Sequence, residues 1–109
     1  MRIEISSRHK PVTADTRAYA GKRAQRLLKY YNRIQSIRVV LDSDGDHPVC
    51  EMIAELEHMH DLVGRALGEE TCAAIDQAAD RLERQLVKHK DRTRNRKGRG
   101  PNPHQPTRT

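Results

Sequence analysis

The chain has 109 residues, with 21 Lys or Arg against 15 Asp or Glu and a formal net charge of +6. It contains no Trp, no Phe and 3 Tyr, which leaves an aliphatic core for one small domain and excludes a surface that reads RNA mainly by base stacking. No apolar run approaches the roughly 20 residues that cross a bilayer, and the N-terminus has no apolar signal-peptide region, so we expect a cytoplasmic protein.

A strand and a helix are predicted first. Residues 2–8 alternate apolar and polar side chains, which is the pattern of a half-buried strand. Thr13 is a suitable N-cap for a helix that runs to about Tyr31, and Asp15 places a favourable negative charge in its first turn. The apolar stripe of this helix consists of Ala20, Ala24, Leu27, Tyr31 and Ile34. A cationic row on another face consists of Lys22, Arg26, Lys29 and Arg33.

Three further strands are predicted over residues 36–42, 49–57 and 61–67, joined by turns that contain Asp, Gly, Pro and His. Alternation assigns the following residues to the core face: Ile37, Val39, Leu41, Cys50, Met52, Ala54 and Leu56. Residues 36–70 hold nine Asp or Glu against two Arg, and several of these acids alternate with the core positions. We therefore expect the outer face of the sheet to carry the acids.

The last predicted element is a helix that begins near Glu70 or Thr71 and ends near Lys90. Its apolar stripe consists of Ile75, Ala78, Leu82, Leu86 and His89. Its cationic row consists of Arg81, Arg84, Lys88 and Arg92. Residues 92–109 contain six Lys or Arg, three Pro and no acid, and such a composition cannot bury a core. We expect a domain over residues 1–92 and a disordered basic tail over residues 93–109.

This order of elements predicts an α+β domain of the form βαβββα, with a four-stranded sheet and two roughly parallel helices on one face. Residues 1–91 are neutral as a whole, because the six bases without matching acids lie in residues 92–109. The folded part can therefore bind a polyanion only where its cations are segregated. Charge rows are often only solvated helix faces, but two such rows on two helices favour a nucleic-acid partner.

No catalytic or metal chemistry is predicted. His58, His60 and Asp61 fit a surface turn better than a metal site, because no further strong ligand is evident. Cys50 and Cys72 have no metal-type spacing and are expected to be buried thiols. No Ser or Cys has a recognisable base partner, and no glycine pattern opens a helix as a phosphate loop does. We expect neither an enzyme nor a cofactor.

Four segments carry a resemblance to a known family. The most specific are Ala73-Ala-Ile-Asp76 and Asp80-Arg-Leu-Glu-Arg-Gln-Leu-Val-Lys-His-Lys-Asp-Arg92 in the last helix. Val12-Thr13 and Lys29-Tyr-Tyr-Asn-Arg-Ile34 mark the start and end of the first helix. In their order and spacing these segments resemble the short ribosome hibernation-promoting factors, also called ribosomal subunit interface proteins or ribosome-associated inhibitors, some of which were once labelled sigma-54 modulation proteins.

The resemblance implies the βαβββα fold and a protein that binds the small ribosomal subunit in the channel shared by messenger and transfer RNA, silencing ribosomes during stress or stationary phase. It implies small-subunit RNA as the partner, with proteins that line the channel as further candidates, and neither a membrane nor a small-molecule substrate. The residues it places against RNA phosphates are Lys22, Arg23, Arg26, Lys29, Arg33, Arg81, Arg84, Lys88, Lys90 and Arg92. Whether the protein pairs ribosomes stays open.

Two other functions remain compatible with the sequence. The first is a protein-binding regulator, such as a sigma-factor modulator, with the acidic outer sheet face as its interface. The second is a general double-stranded RNA-binding module, which would bind free duplexes with little preference for intact ribosomes. Salt dependence separates the first from the ribosome hypothesis, because binding to phosphates through many cations weakens steeply as salt rises.

Overall fold

The structure is a computed structural model that describes residues 2–8, 11–31 and 33–98, with side chains described as far as Lys90. Its elements in chain order are β1 (Arg2–Ser7), α1 (Ala14–Arg26), β2 (Ile34–Asp44), β3 (His47–Leu56), β4 (Leu62–Leu67) and α2 (Thr71–Gly98). This order confirms the predicted βαβββα class. Both helices pack on the same face of one four-stranded sheet, α1 beside β1 and β2, and α2 over β3 and β4.

The strands lie in the order β1-β2-β3-β4, with β1 parallel to β2 and the other neighbours antiparallel. One row across the sheet pairs Ile5 with Val39, Val39 with Met52, and Met52 with Gly64, and this row faces the helices. The core residues predicted from alternation on β2 and β3 are all buried. A tight turn joins these two strands through Gly45, whose φ of +64° favours glycine.

The first helix begins as predicted and ends earlier. The backbone N–H of Thr16 donates to the hydroxyl oxygen of Thr13 at 3.1 Å, which confirms Thr13 as the N-cap. The α-helix ends at Arg26 and a 3-10 turn over Leu27–Lys29 follows, so the predicted end at Tyr31 was wrong. Ile34 is buried but begins β2. Tyr31 and Ile34 continued the apolar spacing because both pack in or against the core after the chain has left the helix.

Helix α2 lies directly on β4 because two glycines leave space for its backbone. A β-carbon on Gly64 would lie 2.8 Å from the backbone nitrogen of Leu82 and would also meet the carbonyl oxygen of Ala78. A β-carbon on Gly68 would lie 2.6 Å from the backbone nitrogen of Ala74. These separations are shorter than van der Waals contact, so glycine is required at both positions for the helix to sit where it does.

The backbone of α2 is helical to Gly98, six residues beyond the predicted domain boundary at residue 92. Lys and Arg are good helix formers, which accounts for helical backbone beyond residue 92. Residues 99–109 of the predicted tail lie outside the described part of the chain, and the disorder of that tail stays a prediction. Among the described residues, no helix combines the length and apolarity that a membrane crossing needs.

The two cysteines differ in exposure. Cys50 is buried in the core, whereas Cys72 is exposed in the first turn of α2, so the prediction of a buried thiol was wrong for Cys72. Cys72 precedes Asp76 by four residues, so it lies on the side of α2 that carries this acid rather than on the side buried against the sheet. Burial, with a smaller contribution from the neighbouring Glu51, raises the pKa of the Cys50 thiol to about 12.

We expect a thiol reagent at pH 8 to modify Cys72 rapidly and Cys50 only after unfolding. A buried, protonated Cys50 thiol offers neither the access nor the thiolate that the reaction needs. Counting modified thiols against time, with and without denaturant, measures this directly. Cys72→Ser should abolish the fast phase, and two rapidly modified thiols in the native protein would contradict the packing described for Cys50.

Candidate nucleic-acid interface

The two helices run parallel, side by side. Near their N-terminal ends, the hydroxyl of Tyr19 on α1 donates to the carboxylate of Asp76 on α2 at 2.6 Å. Just past the end of α1, the hydroxyl of Tyr31 lies 3.2 Å from Nε2 of His89, and the two rings meet edge to face. Both contacts pair earlier residues with earlier and later with later, so the helices share one direction and α1 lies beside the part of α2 that precedes His89.

Seven of the ten residues predicted to contact RNA are exposed and unpaired. Within residues 2–8, 11–31 and 33–90, none of the seven forms an ion pair with a carboxylate or a side-chain hydrogen bond. They are Lys22, Arg26, Lys29, Arg33, Arg84, Lys88 and Lys90, and we call this set the cationic face. An eighth, Arg92, lies on the helical backbone of α2, but its side chain is outside the described part.

Charge changes in the same direction along both helices. On α1, Asp15 lies in the first turn and Arg26 in the last. On α2, Asp76 and Asp80 precede the cations that begin at Arg84. The contacts of Arg23 with Asp80 and of Tyr31 with His89 place Arg26 and Lys29 beside the stretch of α2 that carries Arg84 and Lys88. The predicted row on the first helix was wrong for Lys29 and Arg33, which follow α1, but the combined surface is suited to a polyanion.

Arg23 differs from the other predicted RNA contacts because its guanidinium lies between the helices. Its Nε is 3.2 Å from Asp76 and its Nη2 is 2.8 Å from Asp80, while its side chain is only 13% exposed. Burial alone would lower the pKa of Arg23, but the hydrogen bonds to Asp76 and Asp80 together raise it above its usual value. With Tyr19, these residues form a cluster that we call the interhelix clamp.

Arg81 is also directed away from the cationic face. Its Nη1 donates to the carbonyl oxygen of Arg65 at 2.7 Å, and Nε2 of Gln85 donates to the carbonyl oxygen of Val63 at 2.6 Å. Both acceptors belong to β4, an edge strand whose outward carbonyls have no neighbouring strand. Arg81 and Gln85 therefore satisfy backbone groups that a strand from another chain could otherwise bind.

We expect Arg81→Ala combined with Gln85→Ala to increase self-association. The substitution uncovers the β4 carbonyls, and exposed sheet edges pair with other chains. Light scattering after size exclusion, over a range of protein concentrations, should show a larger fraction of dimer or aggregate than the parent protein. Gln25→Ala, an exposed change on α1, which packs beside β1 and β2 rather than β4, serves as the control. Equal association of all three proteins would mean that the side chains do not protect the edge.

The outer face of the sheet carries acids, and arginines lie beside them. Glu51 pairs across the strands with Arg65, and Glu55 lies 3.9 Å from Arg38. This face is therefore closer to charge balance than the composition of residues 36–70 suggested. The side chain of Val63 on the same face is 41% exposed.

The fold and the cationic face can now be compared with known proteins. The family model for the sigma 54 modulation protein / S30EA ribosomal protein family matches residues 3–94. The chain belongs to this family. The match confirms the family resemblance inferred from the sequence and extends from β1 into α2.

Relatives and solved structures agree with this assignment. The chain is 33% identical over 92 residues to a ribosome hibernation promoting factor of Azotobacter vinelandii, covering 84% of this chain and 85% of the relative. It is 30% identical over 94 residues to the Escherichia coli protein of that name, covering 84% and 96%. The N-terminal domain of Thermus thermophilus Protein Y superposes with a TM-score of 0.72 at 29% identity, covering 82% and 99%. A Coxiella burnetii ribosomal subunit interface protein shares the fold, with a TM-score of 0.77 at 18% identity, covering 84% and 99%.

Sequence reasoning missed the partners that remove Arg23 and Arg81 from the cationic face. A signal was present for the interhelix clamp: Tyr19 and Arg23 are four residues apart, as are Asp76 and Asp80. Residues four apart share a helix face, so the hydroxyl and guanidinium of the first pair could have been predicted to face the two carboxylates of the second pair. No comparable signal marked Arg81, because its acceptor is a backbone carbonyl that any residue could supply.

Proposed function

We propose that this protein is a translation inhibitor that binds the small ribosomal subunit through the cationic face and occupies the channel for messenger and transfer RNA during stress or stationary phase. The observation that carries the proposal is a set of seven exposed cations without a carboxylate partner among the described residues, on two neighbouring parallel helices and the turn after the first. Lys22 and Arg26 lie on α1, Lys29 and Arg33 follow it, and Arg84, Lys88 and Lys90 lie on α2. Family membership and the names of the relatives support the ribosome as the target and the cytoplasm as the site of action.

The mechanism needs no chemistry at the site. Lys and Arg side chains contact phosphate oxygens of ribosomal RNA, and the rigid domain behind them excludes messenger and transfer RNA from the volume it fills. Phosphate contacts position a protein without reading sequence, which suits a target recognised by its shape. If each of the seven cations neutralises one phosphate, the logarithm of the binding constant falls with the logarithm of salt concentration with a slope of roughly −5.

Sucrose-gradient sedimentation of purified ribosomes with and without the protein tests the proposal. The protein should co-migrate with the small subunit and the whole ribosome at low salt and leave both fractions as salt rises. A new peak of paired ribosomes would also place it among factors that dimerise ribosomes. Absence from every ribosomal fraction at low salt would refute the proposed function.

Protein binding through the outer sheet face is the second candidate, and the exposed Val63 on that face favours it. An interface with a partly apolar centre and compensated charges would lose little affinity as salt rises. Binding to ribosomes that resists salt, or survives removal of the cationic face, would therefore favour this candidate. A preference for free RNA duplexes over ribosomes in a competition assay would instead indicate a general double-stranded RNA-binding module.

A further inference from the structure

The interhelix clamp lies next to the cationic face. Arg26 follows Arg23 by three residues on α1, and Arg84 follows Asp80 by four residues on α2. On a helix, residues at these separations lie on the same side, one turn apart. Arg26 and Arg84 therefore stand one turn beyond the clamp, and the clamp limits how far apart the two helices can be at that level.

Three properties of Arg23 set it apart from a phosphate ligand. Its side chain is 13% exposed, whereas Asp76 and Asp80 are 43% and 53% exposed. Its Nε and Nη2 atoms are both engaged by carboxylates of the other helix. Arg23, Asp76 and Asp80 together carry one negative charge, so the guanidinium is already neutralised by its carboxylates before any phosphate approaches.

We propose that Arg23 is a positioning residue, which does not contact RNA but holds α1 and α2 at the separation and rotation that let their cations bind one RNA surface together. The proposal rests on the function proposed above, because it concerns the same cationic face. A helix pair fixed before binding avoids the entropy cost of ordering the two rows on the ribosome. The Tyr19 hydroxyl adds a second contact between the helices at the same carboxylate, Asp76.

Salt dependence distinguishes a positioning residue from a phosphate ligand. Arg23→Gln should weaken binding to purified small subunits by about three- to tenfold, with the slope of log affinity against log salt unchanged. Arg26→Gln, which removes a member of the cationic face, should reduce the magnitude of that slope by about 0.7 to 0.9. Co-sedimentation titrations over a salt series measure both quantities, and circular dichroism checks that each variant is folded.

Asp80→Ala provides a second test, in which the two explanations predict opposite signs. Removing an acid near RNA should strengthen binding if only charge matters, whereas loss of the clamp should weaken it. Alanine is favourable in a helix, so this variant is expected to fold. The double variant Arg23→Gln/Asp80→Ala should bind about as weakly as either single variant, because both remove the same contact. Gln77→Ala on α2 is the matched control and should bind like the parent protein.

Two results would overturn the positioning role: tighter binding by Asp80→Ala, or a slope for Arg23→Gln that falls as much as the slope for Arg26→Gln. Either would show that Arg23 acts through its own charge on the RNA. Failure of the proposed function would look different, because the unmodified protein itself would then not bind small subunits at any salt concentration.

Discussion

Replacing Arg26, Lys29, Arg84 and Lys88 together with glutamate is expected to abolish ribosome binding. The four side chains are exposed and unpaired among the described residues, so the change removes four phosphate ligands and adds four repelling charges. Losing that many contacts should lower affinity by at least roughly a thousandfold at physiological salt. Gradient sedimentation measures the loss. Far-UV circular dichroism should show retained helix content, because glutamate is a good helix former.

A control for this experiment must change charge elsewhere on the molecule. Arg2→Glu with Arg38→Glu places the same type of reversal on the outer face of the sheet, where both side chains are exposed. This control should be compared with the two-residue variant Arg26→Glu/Arg84→Glu, because both alter the net charge equally. If both weaken binding to the same degree, net charge rather than the cationic face governs the interaction.

The largest change in stability is expected from Gly64→Ala. The new methyl group would meet the backbone of α2 at Ala78 and Leu82, where neither atom can move without moving the helix. Overpacking of this kind typically costs 1–3 kcal/mol, and a clash with backbone belongs near the upper end, so we expect a loss of about 3 kcal/mol. For a domain of this size, thermal unfolding monitored by circular dichroism should show a midpoint lowered by roughly 10–20 °C.

Gly21→Ala is the matched control because it makes the same chemical change inside α1. There the nearest atom, Cδ1 of Ile5, would lie 3.7 Å from the new methyl group, which is an ordinary contact. Alanine is favoured over glycine within a helix by about 1 kcal/mol, so the midpoint should rise. An unchanged midpoint for Gly64→Ala would mean that α2 and β4 are not in the close contact described above.

The strands and their positions along the chain could be predicted because the sheet has one buried face. Alternation identified the buried positions of β2 and β3, such as Val39 and Met52, since a strand half exposed to solvent must repeat every two residues. Helix ends were harder to predict. Tyr31 continued the apolar spacing of α1 although it follows the helix, because a residue can return to the core after the backbone has changed conformation.

The cationic face was only partly predictable. Helical spacing places a cation on one side of its own helix, and this sufficed for Arg26 and Arg84. Helical spacing does not show which residues of the neighbouring helix or strand lie opposite that side. Arg23 meets two carboxylates of the other helix, and Arg81 meets a carbonyl of β4, so both leave the face for reasons that depend on packing between elements.

The parallel pairing of β1 with β2 has a consequence for how the chain folds during its own synthesis. β1 emerges from the ribosome first, but its partner strand follows only after the whole of α1. At usual rates of elongation this delay is on the order of a few seconds. β2, β3 and β4 are joined in succession by short turns and can pair as they appear. The small residues of β4, Gly64 and Ala66, are covered only when α2 arrives. In a nascent-chain experiment, β1 should therefore gain protection from hydrogen exchange only after β2 has emerged, although β1 is the first element to be synthesised.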